Sequence, residues 1–290
     1  MPFKLPARRP RIGQPQQAPK GQQTRYKQTT IQVKPDTRVQ LPTGGDYIST
    51  VLRMLEEIES FAAGATLIRA MTALGKNQII QYRGPSVNQA AGGPMGYVLL
   101  RKYHDSNTKM TFAPELAGTI QRSGLTHARL AEKLRNQTMP HWVGGPTPSP
   151  FRNRPNGQRA EDLIPLWVDT SPQNARHMPT RDEMDILCLV LEPHLRPGPG
   201  VGTMIDFDPH KEITAGTKRP PAVGLFHELM HGYYNAAGKQ LGREDSADER
   251  NGGRLFELMA VGLAPFDRRP FSENQLRKQW PGCPLRAQYP

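Results

Sequence analysis

The sequence predicts an α+β fold, a small mixed sheet packed against helices, behind a disordered N-terminal leader. Three observations predict it. Apolar residues recur at helical spacing in several separate stretches, and short apolar runs bounded by turn residues read as strands between them. Residues 1–45, by contrast, carry almost no apolar clusters.

Residues 1–45 are rich in Pro, Gln and basic side chains. Nine Lys and Arg stand there against one acid, Asp36, a surplus of +8 out of a net charge of +12. The basic character therefore belongs to this segment and says little about the rest. So polar a stretch cannot bury enough surface to offset chain entropy, which predicts disorder. A single domain is expected from 46 to 290.

Within it, Val51, Leu52, Leu55, Ile58 and Phe61 predict a first helix, and Leu67, Ile68, Met71 and Leu74 a second, with Gly75 as its cap. Asn77–Arg83 reads as a strand. Tyr97–Tyr103 and Met110–Phe112 read as two more, joined by the turn-rich Asp105-Ser106-Asn107. Thr126–Arg135 reads as a helix. Residues 137–180 are dense in Pro, Gly and Asn and read as a long inserted loop or flap. Arg181–Leu191 predicts an apolar helix holding Cys188 as a small buried hydrophobe, and Val201–Phe207 a strand. With only Cys188 and Cys283 present, no disulfide scaffold is expected. No apolar stretch is long enough for a membrane span, and the N-terminus lacks the apolar core of a signal peptide.

The chemistry concentrates in His227-Glu228-Leu229-Met230-His231. This is H-E-x-x-H inside an apolar, helix-compatible run that begins near Pro220-Pro221 and stops at Gly238. Positions i and i+4 share one helix face, so two imidazoles spaced this way can grip one zinc ion (Zn2+) from the same side. Glu228 then stands beside the ion as a base for activating water. A catalytic zinc needs a third protein ligand. Tyr234 stands where a third-His pattern requires Gly, so an acid must serve, and Asp245, Glu249 and Glu257 compete. Asp245 and Glu249 fall in a charged stretch ended by Gly252-Gly253, which reads as a solvated loop. Glu257 falls in the apolar run Leu255–Leu263, where a bare carboxylate would be costly unless ligated or paired with an Arg. That favours Glu257, with Glu249 as runner-up.

Near the C-terminus, Ser272-Glu273-Asn274-Gln275 fits a helix capping box, and the structural reading is preferred for Glu273 and Asn274. Arg286 and Tyr289, three residues apart, can point to one oxygen and stabilise an oxyanion. A terminal segment tied down by stacking and an ion pair explains them equally well. Tyr233 and Tyr234 are rival phenolic donors, better explained by core packing.

Together these residues resemble the NleD-like zinc metallopeptidase effectors, which bacteria inject into host cells by type III secretion. The likeness runs over about residues 50–290. It is sharpest in His227–His231, in Phe256-Glu-Leu-Met-Ala-Val-Gly-Leu263, and in Glu273-Asn-Gln-Leu-Arg277 followed by Arg286 and Tyr289. It implies a zincin-like metalloprotease domain with Glu257 as third zinc ligand. Phe256 departs from the family's usual acid at that position. An Arg-x-x-Tyr beside a zinc site is similar to clostridial neurotoxin proteases, which supports a catalytic reading of Arg286 and Tyr289. By analogy with zincins, Val201–Phe207 suits the edge strand that binds extended substrate. The resemblance implies a host protein substrate, for some members a mitogen-activated protein kinase. It also implies a leader that serves type III secretion and can meet a secretion chaperone. The rival readings are an effector without catalysis and a basic module binding nucleic acid or membrane. The latter is poorly supported, because structural zinc sites favour clustered Cys.

Overall fold

Five short strands make the sheet of the computed structural model, which describes residues 23–36, 46–91, 96–104, 108–138, 148–152, 159–214, 217–241 and 255–287. They are β1 (Thr24–Arg25), β2 (Ile31–Val33), β3 (Gln78–Gln81), β4 (Gln89–Ala91) and β5 (Thr203–Asp206), in the order β1-β2-β3-β5-β4. The three central strands run parallel, with Val33 beside Ile80 and Ile80 beside Ile205, and β1 and β4 close the two sides antiparallel. Side chains alternate along a strand, so Ile31, Val33, Ile80 and Ile205 all reach one fully buried layer.

Two expectations are corrected here. The leader expected to 45 contains β1 and β2, and Ile31-Gln32-Val33 alternates as a buried strand must. Tyr26 adds a hydrogen bond from its hydroxyl to Glu59 at 2.6 Å. The remainder of that leader lies outside the described residues. Second, Val201–Phe207 is a strand but not an edge. β5 sits between β3 and β4, and the outer strand beside it is β4.

Helices α1 (Tyr47–Glu59) and α2 (Ala62–Leu74) follow the predicted periodicity. Asp46 caps the first through Ser49, and Gly75 ends the second at φ 68°. They pack on α8 (Pro221–Ala237), which also contacts β4 and β5. Pro221 opens α8 and Gly238, at φ 66°, ends it, as predicted. Gly232, directly after the motif, faces the Gln78 side chain of β3, whose oxygen would stand 2.5 Å from a Cβ there and would have to turn aside. A two-stranded ribbon, β6 (Ile213–Thr214) and β7 (Thr217–Lys218), leads into α8.

A second group of helices packs beside this frame: α3 (Val98–His104), α4 (Thr108–Ser123), α5 (His127–Asn136), α6 (Ala160–Val168) and α7 (Arg181–Leu191). Of residues 97–103 and 110–112, expected as strands, 98–103 and 110–112 are thus helical. The apolar run at 110–112 was too short to show its period, but Phe112, Leu116 and Ile120 continue it at four-residue intervals on the buried side. The 137–180 segment, expected as an insert of loop, contains α6, whose Leu163, Ile164 and Trp167 are buried. Lys109 holds α6 in place. Its buried ammonium donates to the carbonyls of Leu166, Trp167 and His177 at 2.5, 2.9 and 2.7 Å. Cys188 is fully buried, as expected. After α8 come α9 (Leu255–Val261) and α10 (Glu273–Gln279). No helix among the described residues is long and apolar enough to cross a membrane.

Candidate metal centre

The helical period of α8 places His227 and His231 one turn apart on its inner face. Their Nε2 atoms stand 3.1 Å from each other. α9 lays Glu257 over this pair: its Oε2 lies 2.9 Å from His227 Nε2 and 3.5 Å from His231 Nε2. The helix that brings Glu257 there is short and almost wholly apolar, with Leu255, Leu258, Met259, Ala260 and Val261 buried. Burial of that face, at roughly 1.5–3 kcal/mol per large apolar side chain, holds the carboxylate against the histidines.

These distances can be tested against a metal. Ligand atoms about 2.0–2.2 Å from a tetrahedral zinc stand about 3.3–3.5 Å apart. The observed 2.9, 3.1 and 3.5 Å need adjustments of only a few tenths of an ångström. Nitrogen, nitrogen and carboxylate oxygen are also donors that zinc accepts. The residues present therefore fit the ion, and His227, His231 and Glu257 could hold it. Asp245 and Glu249 lie outside the described residues.

The electrostatics of the group follow from its burial. Burial disfavours a charged His227, but Glu257 and Glu273 outweigh it and lift the imidazole to about 9. Burial likewise disfavours the Glu257 carboxylate, but His231 and His227 hold it well below the usual range. Both groups favour a shared proton between Nε2 and the carboxylate, the position a divalent cation would take over. Glu228 is buried on the same helix turn. Burial raises its pKa, opposed by the two histidines.

Glu273 is the residue the sequence reading misjudged. Its capping box forms in part, since the Ser272 hydroxyl accepts from the Gln275 backbone N–H at 3.3 Å. Yet the Glu273 side chain turns inward, is fully buried, and puts Oε2 2.8 Å from His227 Nδ1. Three arginines surround it. Arg277 gives Nε and Nη2, each 2.7 Å from Oε1; Arg219 approaches Oε1 at 3.5 Å and Arg286 approaches Oε2 at 3.4 Å. Burial opposes its charge, but His227, Arg219 and Arg286 hold it far below the ordinary carboxylate range. The only local signal was Glu273 and Arg277 at i and i+4 in a mostly polar segment, a pattern common on solvated helices.

Arg286 is buried beside this carboxylate, with its backbone N–H and carbonyl paired to the Asn274 side chain, each at 2.9 Å. It is thereby one carboxylate removed from His227. Tyr289 lies outside the described residues. The Tyr234 hydroxyl accepts from Arg269 Nη1 at 3.2 Å, and Tyr233 packs edge-on against Phe271. Phe256 places its ring edge-on to His231 with centroids 5.3 Å apart.

The M91 peptidase family, described as effector proteins, matches residues 40–289. No curated protein and no solved structure matches the chain. The family match takes in the whole of α8, α9 and α10, and the chain belongs to the M91 effector peptidases, the NleD-like family.

Proposed function

We propose that this effector is a zinc-dependent endopeptidase that cleaves a host protein after type III secretion. The observation that carries the reading is the convergence of His227 Nε2, His231 Nε2 and Glu257 Oε2 at separations suited to one ion, with Glu228 on the same helix turn. In this reading the two histidines bind as neutral imidazoles and Glu257 completes the protein ligands. Bound zinc supplies Lewis acidity toward a water and the scissile carbonyl. Glu228 takes the proton of the attacking water and returns it to the leaving amine. Its burial suits this, because desolvation raises its pKa and makes the carboxylate a stronger proton acceptor than an exposed one. Arg286 and Tyr289 stabilise the oxyanion as charge develops on the carbonyl oxygen.

The substrate class suggested by the family resemblance is a host mitogen-activated protein kinase. The basic N-terminal segment is the proposed secretion signal and chaperone contact. Terminal-peptide proteomics on host lysate tests the function: new protein termini are expected with wild type and not with Glu228→Gln. Identical termini from both would overturn the assignment of Glu228, and the absence of any would overturn the peptidase reading. Kinase fragments among the products would support the substrate class, and their absence from an otherwise active digest would reject it.

A further inference from the structure

We infer that Glu273 is a positioning residue for the metal centre: its carboxylate fixes the His227 ring so that Nδ1 carries the proton and Nε2 faces the metal. The inference rests on the zinc reading above and adds to it a residue outside the ligand set. Three observations carry it.

The first is contact. Glu273 Oε2 lies 2.8 Å from His227 Nδ1, on the side of the ring opposite Glu257. An ionised carboxylate there can only accept, so Nδ1 donates and Nε2 is the nitrogen left to exchange its proton for a cation. The second is rigidity. Glu273 is fully buried and its other oxygen, Oε1, meets two nitrogens of Arg277, each at 2.7 Å, so that with Oε2 on His227 both carboxylate oxygens are held. Arg219, just before α8, and Arg286, in the C-terminal segment, close on it from two further directions at 3.5 and 3.4 Å. The third is charge. Three guanidiniums lie within 3.5 Å of one fully buried carboxylate and compensate its charge where it stands. Glu273 therefore links three parts of the chain, α10, the segment just before α8 and the C-terminal segment, to one ring nitrogen, and α10 with the C-terminal segment becomes part of the metal site without supplying a ligand.

The test is zinc affinity by competition with a chromophoric chelator, together with the proton spectrum of the cobalt(II)-loaded protein. Glu273→Gln is expected to weaken zinc about 10–100-fold, the usual cost of removing such a partner. Ser272→Ala is the control: it loosens the start of α10 and leaves the carboxylate in place, and its zinc affinity should match wild type. Should Glu273→Gln fail to fold with three arginines left uncompensated, Glu273→Asp keeps the charge but draws it back from Nδ1, and the same weakening is expected. In wild type itself, the His227 Nδ1 proton should appear as a strongly shifted, slowly exchanging resonance.

Undiminished zinc affinity in a folded Glu273 variant would overturn the inference. So would an equal loss in Ser272→Ala, or the absence of that resonance. A wild type that takes up no zinc would instead overturn the metal reading beneath it.

Discussion

Two carboxylates meet the same imidazole, Glu257 at Nε2 from α9 and Glu273 at Nδ1 from α10, and their surroundings are opposite. Among the described residues Glu257 forms ion pairs with the two histidines alone, and its side chain keeps 16% of its exposure. Glu273 has none of its surface exposed and shares its charge among three arginines. A carboxylate whose charge is already satisfied three times over has little to offer a cation. One that faces only neutralisable rings has its full charge available. The residue type is the same and the local chemistry divides the roles: Glu257 suits a ligand, Glu273 an anchor.

The largest effect should fall on the ligand side. Glu257→Gln removes the one charge that faces the ion, and zinc retention should fall by more than the roughly 10–100-fold expected at an outer partner such as Glu273. Equal losses from Glu257→Gln and Glu273→Gln in the chelator competition would erase the distinction between them. Glu228→Gln should separate binding from chemistry. Zinc stoichiometry stays at the wild-type value while peptide cleavage falls by about two to four powers of ten, the usual contribution of a general base. Parallel loss of zinc would move Glu228 from base to ligand.

A third buried carboxylate marks the other extreme. Asp185 in α7 has a buried Oδ2 with no hydrogen-bond partner among the described residues, and burial raises its pKa to about 8, against the opposing pull of Arg181. The folded value lies above the unfolded one, near 3.9, so the native state holds a proton the unfolded chain has released. Stability is therefore lost as pH rises between those two values. Asp185→Asn should match wild type near pH 4 and pull ahead as pH approaches 8. The ceiling is about 1.4 kcal/mol for each unit of displacement. Thermal melts across that range provide the measurement. Parallel curves for the two proteins would mean that Asp185 has a countercharge after all.

What the sequence disclosed follows the range of the forces involved. His227, Glu228 and His231 were legible because a five-residue spacing on one helix contains the geometry. Glu257 was legible because a charge among Leu255, Leu258 and Met259 needs a partner wherever that partner lies. Glu273 was not: a cap explains it locally, and its buried partners Arg219 and His227 lie 54 and 46 residues away. β2 was hidden for a similar reason. Ile31-Gln32-Val33 is three residues in a basic, Pro-rich stretch, and only pairing with β3 gives it a buried face. α3 and the start of α4 were misread because short apolar runs have no resolvable period. The strand at Val201–Phe207 was found but not its neighbours, since the order of strands in a sheet is a long-range fact.

The two histidines differ as the two carboxylates do. His227 is steadied by a charge, whereas His231 Nδ1 is buried with no hydrogen-bond partner among the described residues, and its ring rests against Phe256. An aromatic edge limits tilt but does not choose a tautomer, so it should matter less than Glu273. Phe256→Leu keeps an apolar wall and removes the ring contact. Its expected cost is about 0.5–1.5 kcal/mol of stability, the size of one aromatic pair. Zinc affinity should change less than in any Glu273 variant. Chelator competition on the two variants side by side ranks them. A Phe256→Leu loss as large as that of Glu273→Gln would show that ring packing, rather than the charge on Nδ1, sets the geometry of the pair.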